Sequence, residues 1–107
     1  MRLLLDECVP RPLKHGLVGH DVVHVIDMGW SSKRNGELLK LMLAKRFEVL
    51  LTVDQNIEFQ QNLRKAGVGV AVAIARTNRL KDLRPLVPQI LRALATVTSG
   101  ELIRVGG

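Results

Sequence analysis

The chain has 107 residues, of which 47% are hydrophobic, enough for a packed interior and too many for a disordered protein. Sixteen Lys and Arg against ten Asp and Glu leave a formal net charge of +6, which favours contact with polyanions such as nucleic acid. One Trp, two Phe and no Tyr disfavour a base-stacking platform, so any nucleic acid is expected to be contacted mainly through its phosphates.

A single domain spanning residues 1–107 is expected at this length. The only cysteine, Cys8, excludes an internal disulfide and fits a reducing compartment. The apolar run at residues 1–5 ends at once in Asp6 and Glu7, and it is too short for a signal peptide or a membrane span. We therefore expect a cytoplasmic protein that makes no membrane contact.

The first half of the chain alternates short apolar runs with helical segments. Leucines or β-branched residues dominate the predicted strands, two prolines suit the first turn of the first helix, and the second helix has a wide apolar face. The predicted elements are a strand at 2–5, a helix at 10–17, a strand at 21–26, a loop at 29–36, a helix at 37–46 and a strand at 49–52.

The second half continues the alternation. A segment that is apolar on both faces is typical of a central parallel strand, and the predicted elements are a helix at 57–65, a strand at 68–75, a helix that becomes regular near Pro85, and a strand at 101–105. Strands that alternate with helices predict a mostly parallel sheet covered on both faces. Ligands of such sheets bind beyond the carboxyl ends of the strands.

Acidic residues follow three successive predicted strands. Six of the ten acids would converge at one edge of a parallel sheet, namely Asp6 and Glu7 after the first strand, Asp27 after the second, Asp54 and Glu58 after the third, and Glu37 in a first helical turn. Crowded carboxylates repel one another unless a cation intervenes, and hard oxygen ligands suit Mg²⁺ or Mn²⁺. Such an ion can promote phosphodiester hydrolysis.

Helix capping is the competing interpretation of the same acids. Asp is a favoured N-cap, and Asp54 precedes a predicted helix, as Asp6 does. Glu37 in a first helical turn is stabilised by the helix dipole. The residues alone leave the capping and the metal-binding interpretations open. A shared zinc site at His20 and His24 is disfavoured because their spacing suits a helix rather than a strand.

Basic residues form two groups beside the predicted acidic edge. Lys33 and Arg34 precede the second helix, and Arg76 and Arg79 follow the fourth strand. We predict that these four residues contact RNA, with Arg76 the best placed for a phosphate. Two further basic residues of the second group are predicted to be solvated surface, Lys81 and Arg84.

Several motifs together resemble the short PIN-like proteins of bacteria and archaea, which are related to the ribonuclease toxins of toxin–antitoxin modules. The segments that carry the resemblance are LLLDECVPRPL, HDVVHVIDMGW, NGELLKLM, LLTVDQNIEFQQNL and RTNRLKDLRPLVP. The resemblance implies a PIN-like three-layer α/β/α sandwich with a mostly parallel central sheet, and a ribonuclease dependent on Mg²⁺ or Mn²⁺. The family's acids are matched by Asp6, with Glu7 adjacent, by Glu37 and by Asp54.

Two positions depart from the family pattern. Related sequences often carry Asp where this chain has Asn35 and Asn56. An amide oxygen can still bind a metal, but two negative charges are lost, so we expect weaker metal binding and an activity that is weak, specialised or absent.

The leading hypothesis is a metal-dependent endoribonuclease, the toxin of a toxin–antitoxin pair. Asp6, Glu37 and Asp54 would be catalytic, and the metal ligands would be Asp6, Glu7, Glu37, Asp54 and Asn56. The implied partners are RNA and a cognate antitoxin, and a homodimer is the default expectation for so small a domain. The alternatives are a catalytically weakened RNA-binding or partner-binding module and, less favoured because no phosphate loop is present, a flavodoxin-like domain that binds a small molecule or a nucleotide.

Overall fold

A computed structural model describes residues 1–33, 35–55 and 67–107. Five strands form one sheet in the order β2-β1-β3-β4-β5, and every neighbouring pair is parallel. The strands are β1 (Arg2–Leu5), β2 (Asp21–His24), β3 (Val49–Thr52), β4 (Gly69–Ile74) and β5 (Leu102–Gly106). The predicted α/β class with a parallel sheet is therefore confirmed.

Helical segments connect the strands within the described residues. The α-helices are α1 (Asn35–Ala44), α2 (Leu80–Leu83) and α3 (Val87–Thr96), and the 3₁₀ helices are Arg11–Gly16, Ile26–Met28 and Arg84–Leu86. The segment after β1 is thus a 3₁₀ helix, and β2 ends two residues earlier than predicted because the chain turns into the second 3₁₀ helix. The helix predicted over 57–65 lies outside the described residues.

Alternating side chains of the strands supply two hydrophobic cores, one on each face of the sheet. Leu3 and Leu5 of β1 lie in the core beneath the first 3₁₀ helix, α2 and α3. Leu4 lies in the opposite core, beneath α1, together with Trp30 and Phe47. Both faces of the sheet are therefore covered, which explains why β3 is buried along its whole length.

The strand order creates a switch point between β1 and β3. From β1 the chain moves to β2 on one side, crosses back to β3 on the other side, and then continues outward to β4 and β5. Connections that diverge in this way leave a crevice at the carboxyl ends of the two central strands, which is the usual ligand position in open α/β sheets. None of the helices in the described ranges is long and apolar enough to cross a membrane.

Candidate functional site

Asp6 follows β1 directly at the switch point. Its backbone N–H donates to the Leu51 carbonyl of β3 at 2.9 Å, so the parallel ladder continues up to the acid. Its half-buried carboxylate accepts two neutral hydrogen bonds, to Oδ1 from the Glu7 backbone N–H at 2.8 Å and to Oδ2 from the Thr52 hydroxyl at 2.7 Å. The orientation of the carboxylate is therefore set by groups that carry no charge.

Thr52 connects the ends of β1 and β3. The residue is fully buried, and while its hydroxyl donates to Asp6, the same oxygen accepts the backbone N–H of Asp54 at 3.1 Å. Asp54 itself is exposed, two residues beyond the strand. Thr52 was not among the predicted site residues, although a hydroxyl residue that closes an otherwise apolar strand two positions before an acid was an available signal.

Cys8 and Asn78 bring a third strand end to the site. The Cys8 Sγ lies 3.6 Å from the Thr52 hydroxyl oxygen and 3.9 Å from Asp6 Oδ2. The side-chain amide of Asn78, in the loop between β4 and α2, donates to the Cys8 carbonyl at 3.2 Å. The turn after β1 is thus fastened to the loop after β4, a contact between residues 70 positions apart that no local pattern indicates.

Glu7 joins the turn after β1 to the loop before α1. Its side chain accepts the backbone N–H of Ser32 at 2.9 Å. Ser32 has a φ of 65°, a left-handed conformation that is uncommon outside glycine. Because Glu7 is exposed, its carboxylate keeps further acceptor capacity toward solvent.

Glu37 and Asp27 each lie beside a cation. The Lys33 ammonium is 3.2 Å from the carboxylate of Glu37, at a spacing of four residues, and the Arg11 guanidinium is 2.6 Å from Asp27. In both pairs about half of each side chain is exposed. Neither acid therefore presents an uncompensated charge, in contrast to Asp6.

His24 is a buried residue that supports the turn after β1. Its Nδ1 accepts the backbone N–H of Ile26 at 3.1 Å, so the ring proton lies on Nε2, which donates to the Val9 carbonyl at 2.7 Å. The Val9 N–H in turn donates to the Asp6 carbonyl at 3.0 Å. Because both ring nitrogens of His24 are engaged in hydrogen bonds, the residue has a structural role here.

The predicted site residues are brought together only in part. Asp6, the Thr52 hydroxyl and the Asp54 backbone form one hydrogen-bonded group, whereas Glu37 is paired with Lys33. Within residues 1–33, 35–55 and 67–107, no three His, Cys, Asp or Glu side chains are grouped so that they could hold a metal ion. Arg34, Asn56, Glu58 and the side chain of Asn35 lie outside what the structure describes.

Charge compensation distinguishes Asp6 and Glu7 from Asp27 and Glu37. In the described part of the chain, no Lys, Arg or His forms a salt bridge with either of them. Arg76 and Arg79 are exposed in the loop that follows β4. A carboxylate that is half-buried, held rigid and without a cationic partner fits a hard divalent cation, which takes oxygen ligands of this kind.

No family model matches the chain, and no curated protein or solved structure is significantly similar to it.

Proposed function

We propose that the protein is a metal-dependent endoribonuclease of the PIN-like type, which hydrolyses phosphodiester bonds at the carboxyl edge of its sheet. The observation that supports this most directly is the setting of Asp6, whose hydrogen-bond partners among the described residues are all uncharged: the Thr52 hydroxyl, the Glu7 backbone N–H and, at 3.9 Å, the Cys8 Sγ. The basic composition of the chain supports a polyanionic substrate.

Asp6 and Asp54 are the residues that would hold the ion in this proposal. Mg²⁺ commonly uses only one or two carboxylates and completes its coordination with water and substrate phosphate oxygens, so a full set of protein ligands is not required. When bound, Mg²⁺ or Mn²⁺ polarises the phosphodiester and activates an attacking water. Glu7 and Asn56 are further candidate ligands, and Glu37 would join the site only by leaving Lys33.

The other side chains of the site would orient and guide. The Thr52 hydroxyl donates to the Asp6 carboxylate and would fix the orientation of that carboxylate before substrate binds. Lys33, Arg34, Arg76 and Arg79 are the proposed phosphate contacts, and their positive charges would offset the negative charge of the RNA backbone beside the acids.

The test compares two carboxylates on opposite edges of the sheet. Asp6→Asn removes a charge at the proposed site, whereas Asp21→Asn removes one at the start of β2, where Asp21 pairs with Arg2. Cleavage of a fluorophore- and quencher-labelled RNA is measured with Mg²⁺, with Mn²⁺ and with EDTA. We expect Asp6→Asn to lose cleavage about a hundredfold or more, Asp21→Asn to keep it, and EDTA to abolish it.

The proposal is overturned if Asp6→Asn cleaves as fast as the unmodified chain, or if cleavage continues undiminished in EDTA. Circular dichroism of both variants checks that the fold is intact. Mn²⁺ titration by calorimetry supplies a second readout, because removal of a metal ligand should weaken binding even where turnover is slow.

A catalytically weakened RNA-binding or partner-binding module is the second candidate. It is favoured by the Lys33–Glu37 pair and by the absence, in the described ranges, of three grouped acids. Calorimetry separates the two functions. The module should bind RNA but neither Mg²⁺ nor Mn²⁺ at millimolar concentrations, whereas the nuclease should bind both metal ions.

The biological role proposed for the nuclease is that of a cytoplasmic toxin restrained by an antitoxin protein, with a homodimer as the assembly. Induced expression should then arrest growth of the host cell, and Asp6→Asn should relieve the arrest. Growth arrest by Asp6→Asn equal to that of the unmodified chain would exclude a nuclease toxin.

A further inference from the structure

Three basic residues that are not among the four predicted RNA contacts belong to neighbouring elements of the fold. Lys14 belongs to the first 3₁₀ helix, Lys81 to α2 and Arg84 to the 3₁₀ helix that follows α2, and all three are exposed. The first 3₁₀ helix and α2 are in contact. Their apolar residues Leu13 and Leu83 are buried in one core cluster below, which turns the basic residues outward. We call Lys14, Lys81 and Arg84 the basic surface.

Local geometry aligns these charges. Residues three positions apart superpose along a 3₁₀ helix, so Arg11 extends the row of Lys14, and Lys81 and Arg84 are neighbours at the same spacing. Arg11 is paired with Asp27 at 2.6 Å. Within the described residues, Lys14, Lys81 and Arg84 take part in no salt bridge. The fold therefore leaves their positive charges uncompensated.

The basic surface begins beside Asp6. The Val9 N–H donates to the Asp6 carbonyl, and the first 3₁₀ helix starts two residues after Val9. From the other side, Asn78 donates to the Cys8 carbonyl at 3.2 Å, and α2 starts two residues after Asn78. Both elements that carry the surface are thus fastened to the turn that holds Asp6.

We propose that the basic surface binds the phosphodiester backbone of a nucleic-acid strand whose other end reaches Asp6. Contact mainly through the backbone follows from the large aromatic residues in the described ranges: Trp30 and Phe47 are both buried in the core on the opposite face, so neither ring is available for stacking. Neutralised phosphates dominate binding of this kind and make it steeply dependent on salt.

An acidic protein partner fits this surface less well. Protein interfaces have an apolar centre surrounded by a polar rim. The large hydrophobic side chains that are exposed in the described residues are Val18, Ile26 and Leu43, and none of them belongs to α2 or to either 3₁₀ helix of the surface. A face with cations and no apolar centre matches a polyanionic strand.

That the nucleic-acid strand extends toward Asp6 rests on the proposed nuclease function, whereas its binding to the basic surface does not. The experiment tests the two separately. Fluorescence anisotropy is measured in EDTA, so that no metal-dependent cleavage occurs, with labelled single-stranded RNA and DNA of about 20 nucleotides, the length of a few site sizes. The test variant is Lys14→Gln/Lys81→Gln/Arg84→Gln. The matched control is Lys40→Gln/Lys45→Gln/Arg104→Gln, which removes three exposed charges from α1, its end and β5.

We expect the test variant to bind RNA about a hundredfold more weakly at about 0.1 M salt and to lose about 2 from the slope of log Kd against log salt, since each phosphate contact on a single strand contributes about 0.7. The control should bind within about threefold of the unmodified chain. If the test variant loses as much affinity for DNA as for RNA, the ligand is the phosphodiester backbone that both share. If it loses affinity only for RNA, the ligand is an RNA strand.

If the test and control variants bind RNA with equal affinity, the proposed role of the basic surface is overturned. This holds whether both variants keep the affinity of the unmodified chain or both lose it through their reduced net charge. Asp6→Asn, measured for binding in this assay and for cleavage in the separate assay with Mg²⁺ or Mn²⁺, separates the two proposals. If Asp6→Asn binds RNA normally and no protein cleaves it, the nuclease function fails while the binding surface stands. If the test variant binds normally while Asp6→Asn abolishes cleavage, the surface fails and the nuclease stands.

Discussion

Arg2 and Asp6, at the two ends of β1, are held in opposite ways. At the amino edge, the Arg2 guanidinium lies 2.9 Å from Asp21 and 4.2 Å from the centre of the Phe47 ring, while its Nε donates to the Lys45 carbonyl at 3.0 Å. The Phe47 ring packs edge-on against Trp30 at 5.8 Å. The cation is thus compensated within the fold, and its position contributes to stability.

At the carboxyl edge, Asp6 is held by a hydroxyl and a backbone N–H, and no described cation pairs with it. A carboxylate that is half out of water without a counter-charge does not contribute stability in the way that Arg2 does. Arg2 is thus paired where the strands begin, whereas Asp6 has no described cationic partner where they end, although the pairs Arg11–Asp27 and Lys33–Glu37 lie on the same side of the sheet as Asp6. The first edge should therefore govern stability, and the second should govern ligand binding.

The largest effect is expected from truncation of Phe47, which is 2% exposed. Phe47→Ala should lower the free energy of unfolding by about 3–5 kcal/mol through lost burial and the cavity left behind. Urea denaturation measures the change, and Phe47→Leu should cost less. The folded variant should bind Mn²⁺ as the unmodified chain does, and a lost metal site in folded Phe47→Ala would show that the edges are not independent.

Thr52→Val keeps the shape of the side chain and removes the hydroxyl. The Asp54 N–H loses its acceptor and Asp6 loses a donor, which should cost about 1–3 kcal/mol of stability. The affinity for Mn²⁺ should fall about tenfold, as when the support of a metal ligand is removed. Thr52→Ser loses a buried methyl group, at about 1 kcal/mol, but should retain the affinity. Equal metal binding by the Val and Ser variants would contradict an orienting role for the hydroxyl.

Arg2→Met should destabilise the protein by about 1–2 kcal/mol, because it removes the ring contact with Phe47 and the ion pair with Asp21. Asp21→Asn removes only the ion pair, in which the Asp21 side chain is 63% exposed, and should cost less than about 1 kcal/mol. Thermal melts at low and high salt test the order. An equal loss in both variants would mean that the ring contact contributes nothing.

The smallest effect on stability is expected from Lys33→Gln, about 0.5 kcal/mol or less, since both partners of the Lys33–Glu37 pair are largely solvated. The informative measurement is Mn²⁺ titration. If Glu37 joins the metal site, release from Lys33 should strengthen binding about twofold to threefold, by the strength of an exposed pair. Unchanged affinity would remove Glu37 from the proposed ligands.

Much of the fold was predictable because its elements are defined by local patterns. The bounds of β1 and β3 agree with the predicted strands at 2–5 and 49–52, since each is an apolar run ended by polar residues. The prediction was less accurate at β2, where the β-branched run continues past His24 into a 3₁₀ helix. Propensity there favours a strand, but the Ile26 N–H bonds to the His24 ring instead of extending the ladder.

The candidate site was predictable residue by residue only where it follows a strand directly. Asp6 lies at the carboxyl end of β1, as predicted. Asp54 lies two residues beyond the carboxyl end of β3, also as predicted. Thr52 and Asn78 were not identified, because each matters through a partner far away in the chain. The Lys33–Glu37 pair, at a helical spacing of four, was visible in the sequence but was not weighed against the metal hypothesis.

The sequence by itself determined the parallel α/β class, the apolar strands and the acids that follow them, because strand and helix periodicity and chain-breaking polar residues are local properties. Only the tertiary structure decided which strand ends are neighbours. The position of β1 between β2 and β3 sets the Thr52 hydroxyl against Asp6, and the packing of α2 on the first 3₁₀ helix gathers the basic surface. Hydrogen-bond partners across a sheet follow from the strand order. That order is selected by the burial of both faces of the sheet, and no local sequence pattern encodes it.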